Sequence, residues 1–523
     1  MHRNLTRLLF IFLFITSCAD DDFYQQNALY QQPAAAGVAP DSVWVVAGRH
    51  YDRSGFFRFF WGDHHRELWT TPVKAKVFDM EKIAGGLKLD EIGGGYQTTS
   101  FQLVDSTGKE YAFRSIDKNP VHVLSDFWQK TFVTNIVRDQ TSASHPYGML
   151  VVPVLAEAVG VHHTNPKLYY VSENDTSFGV YSDRVQGRLF MLEERFKSVH
   201  DLTPAFEKAT GFLDSDEALR LRFASNRYRF DQKAFARARL LDLLIGDWDR
   251  HKGQWDWAVV PQNRDTVFQP IPKDRDQVFI RIQDGLIPAI ATSKIMARKL
   301  HSFGEDIDDV KALMLNARFL DARLLNELEA EDWQAIARDM QHKLTDDVLE
   351  QAVKQLPEAI YKIQGDKMIQ QLKNRRSQLP AAAAKMYEIL AKEVTIPGTD
   401  ADELFLVKRL NDKQTQVQMR RIGTNQLLYN RTFNHNETER LTLRGLRGND
   451  AFVVEGKTDK GILVELYGGM GEDKITDRSA VSNWKKMTHI FDTERGNKID
   501  FGTEARDRTT RDVRVHAYDQ EGN

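Results

Sequence analysis

The first half of the chain alternates between two spacings of apolar residues. From Val43 to about Asp117, apolar and polar residues alternate between turn signals, most clearly over residues 99–104 and 110–114. A period of two is typical of strands that bury one face. We therefore expect an antiparallel sheet in this part of the chain.

After this stretch, the apolar residues take the spacing typical of helices over most of the chain as far as about residue 393. It begins within residues 123–160, where Gly160 can end a helix, and strand spacing returns briefly at residues 167–171 and 188–193. Residues up to about 393 are mainly helical, and after Pro397 the pattern changes to short strands with glycine-rich turns. These changes predict separate sheet-rich and helix-rich regions.

An α+β protein with three folded parts accounts for this order. We expect a sheet-rich small lobe over residues 43–195, a helical large lobe over 196–395 and a β module over 396–523. A length of 523 residues also exceeds what one ordinary core supports.

The β module contains two glycine-rich turns, at residues 445–450 and 468–475, which lie 23 positions apart. The second matches one calcium-binding nonapeptide turn, but such turns share ligands only in tandem repeats. We therefore expect no calcium site. The glycines are interpreted as turns between short strands of a β sandwich or a partial β-helix.

The N-terminus carries the features of an export signal. Arg3 and Arg7 precede a short apolar run that is too short to span a bilayer, and the run ends at Cys18, the single cysteine of the chain. The sequence before Cys18 resembles a bacterial lipobox, which predicts lipidation at this residue; the alternative is a buried structural thiol. Residues 1–18 are thus expected to form the signal and residues 19–42 a tether. The three aspartates at 20–22 fit an acidic export tag or a solvated linker.

Composition excludes several classes of protein. Basic residues number 71 and acidic residues 74, so the net charge of −3 gives no field for binding nucleic acid or an anionic membrane surface. A disulfide framework needs more than one cysteine. We expect membrane attachment only through the lipid anchor, and phosphate recognition only at local sites.

Two acidic loops carry the strongest candidate chemistry. An apolar helix stops at Gly246 and a dense set of ionisable residues follows, including Asp249 and Arg250, which could simply form a surface ion pair. A second cluster lies at residues 272–279, beyond an intervening strand. Two acidic loops flanking a hairpin suit metal-assisted phosphoryl transfer, which needs positioning and charge neutralisation more than covalent help.

That reaction assigns a role to each polar residue of the loops. Asp249 can accept the proton of the acceptor group, while Asp274 and Gln254 can hold Mg²⁺ or Mn²⁺, which prefer oxygen ligands. Asp276 is the reserve for Asp274.

These residues resemble the catalytic loops of atypical kinases, such as the HipA toxin kinases and the secretory-pathway Golgi kinases. The resemblance rests on Asp249-Arg250-His251 with an amide five residues after the aspartate, and on residues 274–279 as the counterpart of the metal-binding Asp-Phe-Gly loop. It implies a bilobal protein-kinase-like fold with ATP as donor. Gln254 departs from the usual Asn, which places a tight two-metal site in doubt.

The small lobe offers the nucleotide-binding parts that the resemblance implies. The turn at Gly93, Gly94 and Gly95 would cover phosphates, although a glycine triplet is more often a simple turn. Arg114 stands at the position of the usual β3 lysine, with Lys118 as competitor, although it could equally be a solvent-facing strand residue.

Two further parts of a kinase site are less clear in the sequence. Glu193 lies in the segment expected to form the hinge beneath the adenine ring, where an exposed strand end is the alternative. The glutamate that should orient the cation has no clear counterpart. Gln140, His145 and Glu157 remain the alternatives.

A wider stretch, residues 61–279, resembles a domain of exported Bacteroidota proteins often labelled metallophosphoesterases or outer-membrane assembly proteins. The similar phrases are residues 68–73, 114–118 and 160–166. This resemblance implies a cell-envelope location, outer-membrane anchoring and a membrane-barrel partner. The phosphoesterase label does not fit, because the required metal-binding series is missing and Gly62-Asp63-His64-His65 is its only echo.

The leading hypothesis is a metal-dependent phosphotransferase acting on an unidentified acceptor. One alternative is an inactive kinase fold that binds a ligand or a barrel, since the orienting glutamate is missing. Another is an assembly scaffold in which the β module carries the function.

Overall fold

A computed structural model describes residues 19–20, 22–30, 41–93, 99–293, 296–482, 484–493 and 495–522. The expected signal, Cys18, Gly94 and Gly95 lie outside these residues. The structure is a mixture of helices and strands, and the α+β class is confirmed.

The small lobe is built on a seven-stranded sheet with the order β1-β2-β6-β7-β5-β4-β3. Only β2 and β6 are parallel, so the expected antiparallel sheet has one parallel pair. The strands are β1 (Ser42–Val45), β2 (Val73–Val77), β3 (Leu87–Gly93), β4 (Ser100–Asp105), β5 (Glu110–Ser115), β6 (Lys167–Tyr170) and β7 (Leu189–Glu194).

Among the described residues of this region, five short α-helices accompany the sheet. They are α1 (Gly55–Trp61), α2 (Arg66–Thr70), α3 (Asp126–Gln129), α4 (Val133–Asp139) and α5 (Val152–Val159). Helix α5 ends at Gly160, whose left-handed backbone at φ 71° favours glycine. The expected helix end at this glycine is therefore observed.

In the described part of the chain, the large lobe combines eight α-helices with a four-stranded sheet of order β8-β10-β11-β9. The strands are β8 (Phe212–Asp214), β9 (Tyr228–Phe230), β10 (Trp255–Gln262) and β11 (Asp265–Pro272). The helices are α6 (Ser215–Ala224), α7 (Gln232–Ile245), α8 (Leu286–Ala291), α9 (Val310–Met314), α10 (Arg318–Leu324), α11 (Ala330–Lys343), α12 (Asp346–Val353) and α13 (Glu358–Ala391).

Helix α7 is the centre of the large lobe. The carboxylate of Asp231 accepts a hydrogen bond from the Ala234 N–H at 3.0 Å and begins the helix, and Gly246 ends it with φ 69°. Leu240, Leu241 and most of its other residues are buried in the main hydrophobic core. The helix therefore delivers the loop after Gly246 from a rigid support.

The β module is a partial β-helix. Chain rungs alternate between two mainly parallel sheets, of orders β12-β16-β18-β20-β22 and β15-β14-β13-β17-β19-β21, with the antiparallel pairings β13–β14 and β14–β15 extending the second. The strands are β12 (Glu393–Pro397), β13 (Glu403–Asn411), β14 (Gln414–Arg421), β15 (Leu427–Asn434), β16 (Arg440–Arg447), β17 (Ala451–Thr458), β18 (Leu463–Met470), β19 (Lys474–Val481), β20 (Thr488–Phe491), β21 (Lys498–Asp500) and β22 (Ala505–Asp507). The 23-residue spacing of the two glycine turns is thus the length of one rung.

Part of the segment expected as a tether packs on the small lobe. Phe23 and Ala28 are buried in the main core, and Leu29 forms an isolated bridge with Val45. Among the described residues, no helix is both long and apolar enough to cross a bilayer.

Candidate functional site

The loop after α7 is held by a buried ionic network. Its carboxylates are Asp242, Asp247 and Asp321, and its guanidinium groups are Arg239, Arg250 and Arg275. All six side chains are buried. Arg250 therefore pairs inside the lobe with Asp242 and Asp247, and it forms no surface pair with Asp249.

Arg250 also fixes the second acidic loop. Its guanidinium donates to the Lys273 carbonyl at 2.9 Å and to the Gln254 carbonyl at 3.0 Å. One buried side chain thus holds the 249 loop and the 273–276 loop in a defined relation. The two loops lie at the same end of the β10–β11 hairpin, where Trp255 pairs with Pro272, and the Arg250 contacts add to that pairing.

Asp249 lies at the edge of this network. Its side chain is half-buried, and its carboxylate accepts a hydrogen bond from the Asn316 amide at 2.7 Å. The amide orients the carboxylate while leaving its remaining acceptor positions available. Asn316 was not foreseen, because it lies 67 residues further along the chain.

Arg114 joins the two lobes. From β5 its guanidinium reaches the Asp274 carboxylate at 2.9 Å and the Glu193 carboxylate at 3.1 Å. Burial acts to raise the pKa of Asp274, but the positive charges of Arg114 and Lys118 outweigh it and hold that pKa below the usual range. The expected cation and the expected metal-binding aspartate are therefore in direct contact.

Lys118 forms a second ion pair across the same cleft, with Asp276. Burial and the neighbouring charge of Asp274 raise the pKa of Asp276 to about 6, although Lys118 opposes the shift. The cavity between these pairs measures only about 30 Å³. The cleft is accordingly filled by the protein's own charged side chains.

Gln254 lies beside Asp274, the other metal ligand expected from the sequence. The side chain is buried, with its amide nitrogen 3.4 Å from Asp274 Oδ2 and its oxygen 3.4 Å from Arg250 Nη1. With the amide turned over, its nitrogen donates instead to the Lys273 and Asp274 carbonyls, at 2.9 and 3.1 Å. Either way, the amide braces the loop that carries Asp274.

The carboxylates of Asp274 and Asp276 offer the oxygen donors that Mg²⁺ or Mn²⁺ prefers. Arg114 and Lys118 already neutralise them, so a metal would have to displace or share with these cations. Within the described part of the chain, no group of three His, Cys, Asp or Glu side chains is placed to hold a metal. The residues fit a metal that is completed by phosphate oxygens and water.

Gly93 lies at the end of β3, and β4 lies between β3 and the strand that carries Arg114. Gly93 is the last residue of β3 and is paired with Ser100, while Gly94 and Gly95 lie outside the described residues. The phosphate-covering turn therefore stays a prediction.

Glu193 is the glutamate that pairs with Arg114, for which the sequence showed no clear counterpart. It is not the exposed strand end considered as the alternative, and its expected place in a hinge stays a prediction. It is buried on β7, bonded to Arg114 and also to the Thr164 hydroxyl, which donates at 2.9 Å. Burial raises the pKa of Glu193, with Arg114 opposing the shift. Because β5 and β7 are neighbours, Arg114 and Glu193 are diagonal partners on one face.

None of the three alternatives considered for this role has an ion pair or hydrogen bond to Arg114 among the described residues. Gln140 lies 3.2 Å from His64, His145 is buried beside His65, and Glu157 is exposed on α5. The Arg114–Glu193 pairing depends on strand register, and the sequence carries no local signal for it.

The paired histidines after α1 brace the chain near the site. His64 Nδ1 lies 2.7 Å from Asp284 Oδ1, and His65 Nε2 lies 2.8 Å from the Phe279 carbonyl. Burial lowers the pKa of His65 to about 4, so this imidazole is neutral and its ring N–H can donate to that carbonyl. The pair connects the small lobe to the chain that follows Asp276.

Comparisons with known proteins give matches at the level of structure only. No protein-family model matches the sequence, and no curated protein matches it. The kinase CtkA of Helicobacter pylori is similar with a TM-score of 0.29 and 11% identity, covering 58% of this chain and 98% of that chain.

A second similar structure is the HipA, HipB and operator DNA complex of Shewanella oneidensis, a toxin–antitoxin system. Its TM-score is 0.24 with 12% identity, covering 61% of this chain and 70% of that chain. Similarities of this size concern the arrangement of elements and carry no information about activity.

Proposed function

We propose that the two lobes form a kinase-type phosphotransferase that is metal-dependent and uses ATP as donor. The observation that carries the proposal is Arg114, which links Glu193 within the small lobe to Asp274 of the large lobe. A nucleotide phosphotransferase needs a cation for the phosphates and an acidic loop in one cleft. The acceptor is left open.

In this proposal each side chain has a separate task. Arg114 binds phosphate oxygens, for which its planar guanidinium is suited, and Glu193 keeps it in place. Asp249 accepts the proton of the acceptor hydroxyl, with its carboxylate oriented by Asn316. Asp274, Asp276 and Gln254 would hold the metal, which neutralises phosphate charge when bound.

ATP must enter a cleft that is closed by ion pairs. Phosphate oxygens can replace Asp274 as partners of Arg114 and Asp276 as partners of Lys118, which frees both carboxylates. A metal bound to the freed carboxylates would then pair with their charge, so that no buried charge is left alone.

Ligand-induced stabilisation tests nucleotide binding without a known acceptor. With ATP and Mg²⁺ or Mn²⁺, we expect a metal-dependent rise in melting temperature that Asp274→Ala abolishes. Asp216→Ala, which alters an exposed carboxylate paired with Lys252, is the matched control and should keep the rise. No rise with any nucleotide in the wild type would contradict the proposal.

A second candidate is a ligand-binding kinase fold without catalysis. The ion pairs Arg114–Asp274 and Lys118–Asp276 favour it, because they occupy the positions that phosphate and metal would take. Asp249→Asn separates the two. If the protein is a phosphotransferase, this variant should bind ATP but turn it over about a hundredfold more slowly than wild type, or slower still. If the wild-type protein binds ATP without turning it over, the second candidate is supported.

We also propose that the chain is a cell-envelope lipoprotein anchored at the outer membrane through Cys18, with a membrane barrel as a partner. The support is the apolar run and lipobox-like sequence before the single cysteine. Mass spectrometry of the N-terminal peptide from membranes tests the lipid. An unmodified Cys18 thiol in that peptide would overturn the anchor.

A further inference from the structure

Three large apolar side chains are exposed next to the place where the described chain begins. Val123 is 60% exposed, Phe127 64% and Trp128 41%. The last two belong to α3, and their rings meet edge to face at 5.1 Å. We call these three residues the α3 apolar patch.

The start of the described chain is fastened beside this patch. The Ala19 N–H donates to the Lys130 carbonyl at 3.3 Å, and the Asp20 N–H donates to Asn135 Oδ1 at 3.0 Å. Arg138 on α4 in turn donates to the Asp20 carbonyl at 2.8 Å. Residues 19 and 20 are therefore held on the surface that also carries Phe127 and Trp128.

Cys18 is the next residue in sequence before Ala19 and lies outside the described residues. Consecutive Cα atoms are about 3.8 Å apart, so a lipid on Cys18 leaves the protein close to Lys130. Exposed Trp and Phe rings are the side chains that favour the boundary between lipid head groups and acyl chains. Lys130 is exposed in the same segment and can face anionic head groups.

We propose that the α3 apolar patch rests in the lipid leaflet that holds the Cys18 anchor. The inference rests on the proposed lipidation and adds to it a fixed orientation of the small lobe on the bilayer. The diacylglycerol supplies the attachment, and the aromatic side chains set which face of the protein looks toward the lipid.

This orientation keeps the candidate site close to the membrane. Lys118, which pairs with Asp276, is five residues before Val123, a distance of at most about 18 Å along an extended chain. Acceptors at the bilayer surface, such as lipid head groups or membrane proteins, would therefore be within reach of the cleft.

The single cysteine makes a direct test available. In lipidated full-length protein reconstituted into vesicles of phosphatidylethanolamine and phosphatidylglycerol, the Cys18 thiol is blocked, so Phe127→Cys supplies the one thiol for a nitroxide label. Oxygen concentrates in lipid and the nickel reagent stays in water. We expect the label's accessibility to oxygen, relative to its accessibility to nickel, to be several-fold higher at position 127 than at Trp484→Cys. Trp484 is 88% exposed on the β module and is the matched control.

The same experiment separates the different failures. If the labels at positions 127 and 484 are equally accessible to the aqueous nickel reagent, the membrane-facing patch is overturned. It is also overturned if a label at Phe56→Cys on α1 lies in lipid while the label at position 127 stays in water. Labelling of Cys18 itself, detected by mass, would overturn the anchor and the inference with it. Nucleotide-dependent stabilisation of these variants reports separately on the phosphotransferase, and their melting temperatures report whether they fold.

Discussion

Asp242 in the large lobe and three buried aspartates of the β module differ in their charged neighbours and in their pKa. In the lobe, Asp242 lies 2.7 Å from Arg239, 3.3 Å from Arg250, and in contact with Arg275. Burial acts to raise its pKa, but these arginines outweigh it and hold the pKa below the usual range. Asp242 is therefore kept ionised by its partners.

In the β module, Asp450, Asp473 and Asp492 are buried without an arginine partner in the described part of the chain. Burial raises the pKa of Asp450 to about 9, of Asp473 to about 6 and of Asp492 to about 7. Each has an Oδ2 atom without a hydrogen-bond partner among the described residues. At neutral pH, Asp450 is accordingly expected to be protonated.

The repeating rungs explain this arrangement. Oδ1 of Asp450 accepts from the Glu403 N–H at 2.7 Å, and Oδ1 of Asp473 accepts from the Asp450 N–H at 2.8 Å. Their Oδ2 atoms lie over glycines, 2.2 Å from where a Cβ on Gly445 would stand and 2.5 Å from the corresponding point on Gly468. A site that leaves no room for a methyl group leaves none for an arginine. The comparison shows that burial alone does not fix the charge of a carboxylate.

The largest effect is expected from breaking the paired network. Asp242→Asn removes a negative charge that faces three arginines, and we expect it to lower the free energy of unfolding by about 3–5 kcal/mol. Denaturant unfolding measures the loss. Asp216→Asn, at an exposed pair, is the control, and a loss no larger than in this control would contradict the buried-network account.

A smaller loss is expected where the carboxylates crowd the glycines. Gly468→Ala places a methyl carbon 2.1 Å from Asp492 Oδ2 and 2.5 Å from Asp473 Oδ2, which should cost about 1–3 kcal/mol. Gly211→Ala is the control, because no atom lies within 4 Å of its added carbon. Equal stability of the two variants would show that the column of carboxylates is loose.

The pH dependence of stability should reveal the raised pKa of Asp450, in contrast to the lowered pKa of Asp242. Asp450 is protonated in the folded state up to a pKa of about 9, whereas 3.8 is its ordinary value, so the folded state binds the extra proton between these limits. Stability from this group is complete below about pH 4 and is lost as pH rises toward 9.

Asp450→Asn removes this linkage while keeping the acceptor for the Glu403 N–H. We expect the two proteins to be nearly equal in stability at pH 4 and the variant to gain on the wild type as pH rises to 8, by up to about 1.4 kcal/mol per pH unit. Thermal unfolding across that range measures the difference. A wild-type advantage that grows with pH would mean that Asp450 is ionised in the folded protein.

The smallest effect is expected at an exposed ion pair. Lys362 lies 2.5 Å from Glu358 on the surface of α13, where solvent screens the attraction. Glu358→Gln should leave the melting temperature unchanged within experimental error. A clear decrease would mean that surface pairs contribute to this protein on the scale of the buried ones.

Several features were predictable because their signals are local. The end of α7 at Gly246 followed from an apolar run that stops at a glycine, and the candidate residues Asp249 and Asp274 followed from acidic clusters on either side of a hairpin. The glycine turns of the β module also indicated a strand-rich region correctly, although the strands β13 to β19 are longer than expected, at eight or nine residues each. Neighbouring residues are sufficient for each of these inferences.

Other features had a sequence signal that was not recognised. An acidic residue follows each of three glycines by five positions, as in Gly398–Glu403, Gly445–Asp450 and Gly468–Asp473. This spacing marks the column of carboxylates in the β-helix. Its meaning depends on rungs that stack, so it could be interpreted only after the two glycine turns were seen as one repeat.

The sequence by itself determined that a sheet-rich, a helix-rich and a second strand-rich region follow one another, that α7 ends at Gly246, which loops are acidic, and that a single cysteine follows an apolar run. Only the tertiary structure decided that Arg114 meets Glu193 and Asp274, that Arg250 is buried away from Asp249, and that Ala19 is fastened beside α3. The physical reason is distance along the chain. Caps, turns and periodicity act over a few residues, whereas charge pairing and burial depend on strand register and packing between segments far apart in sequence.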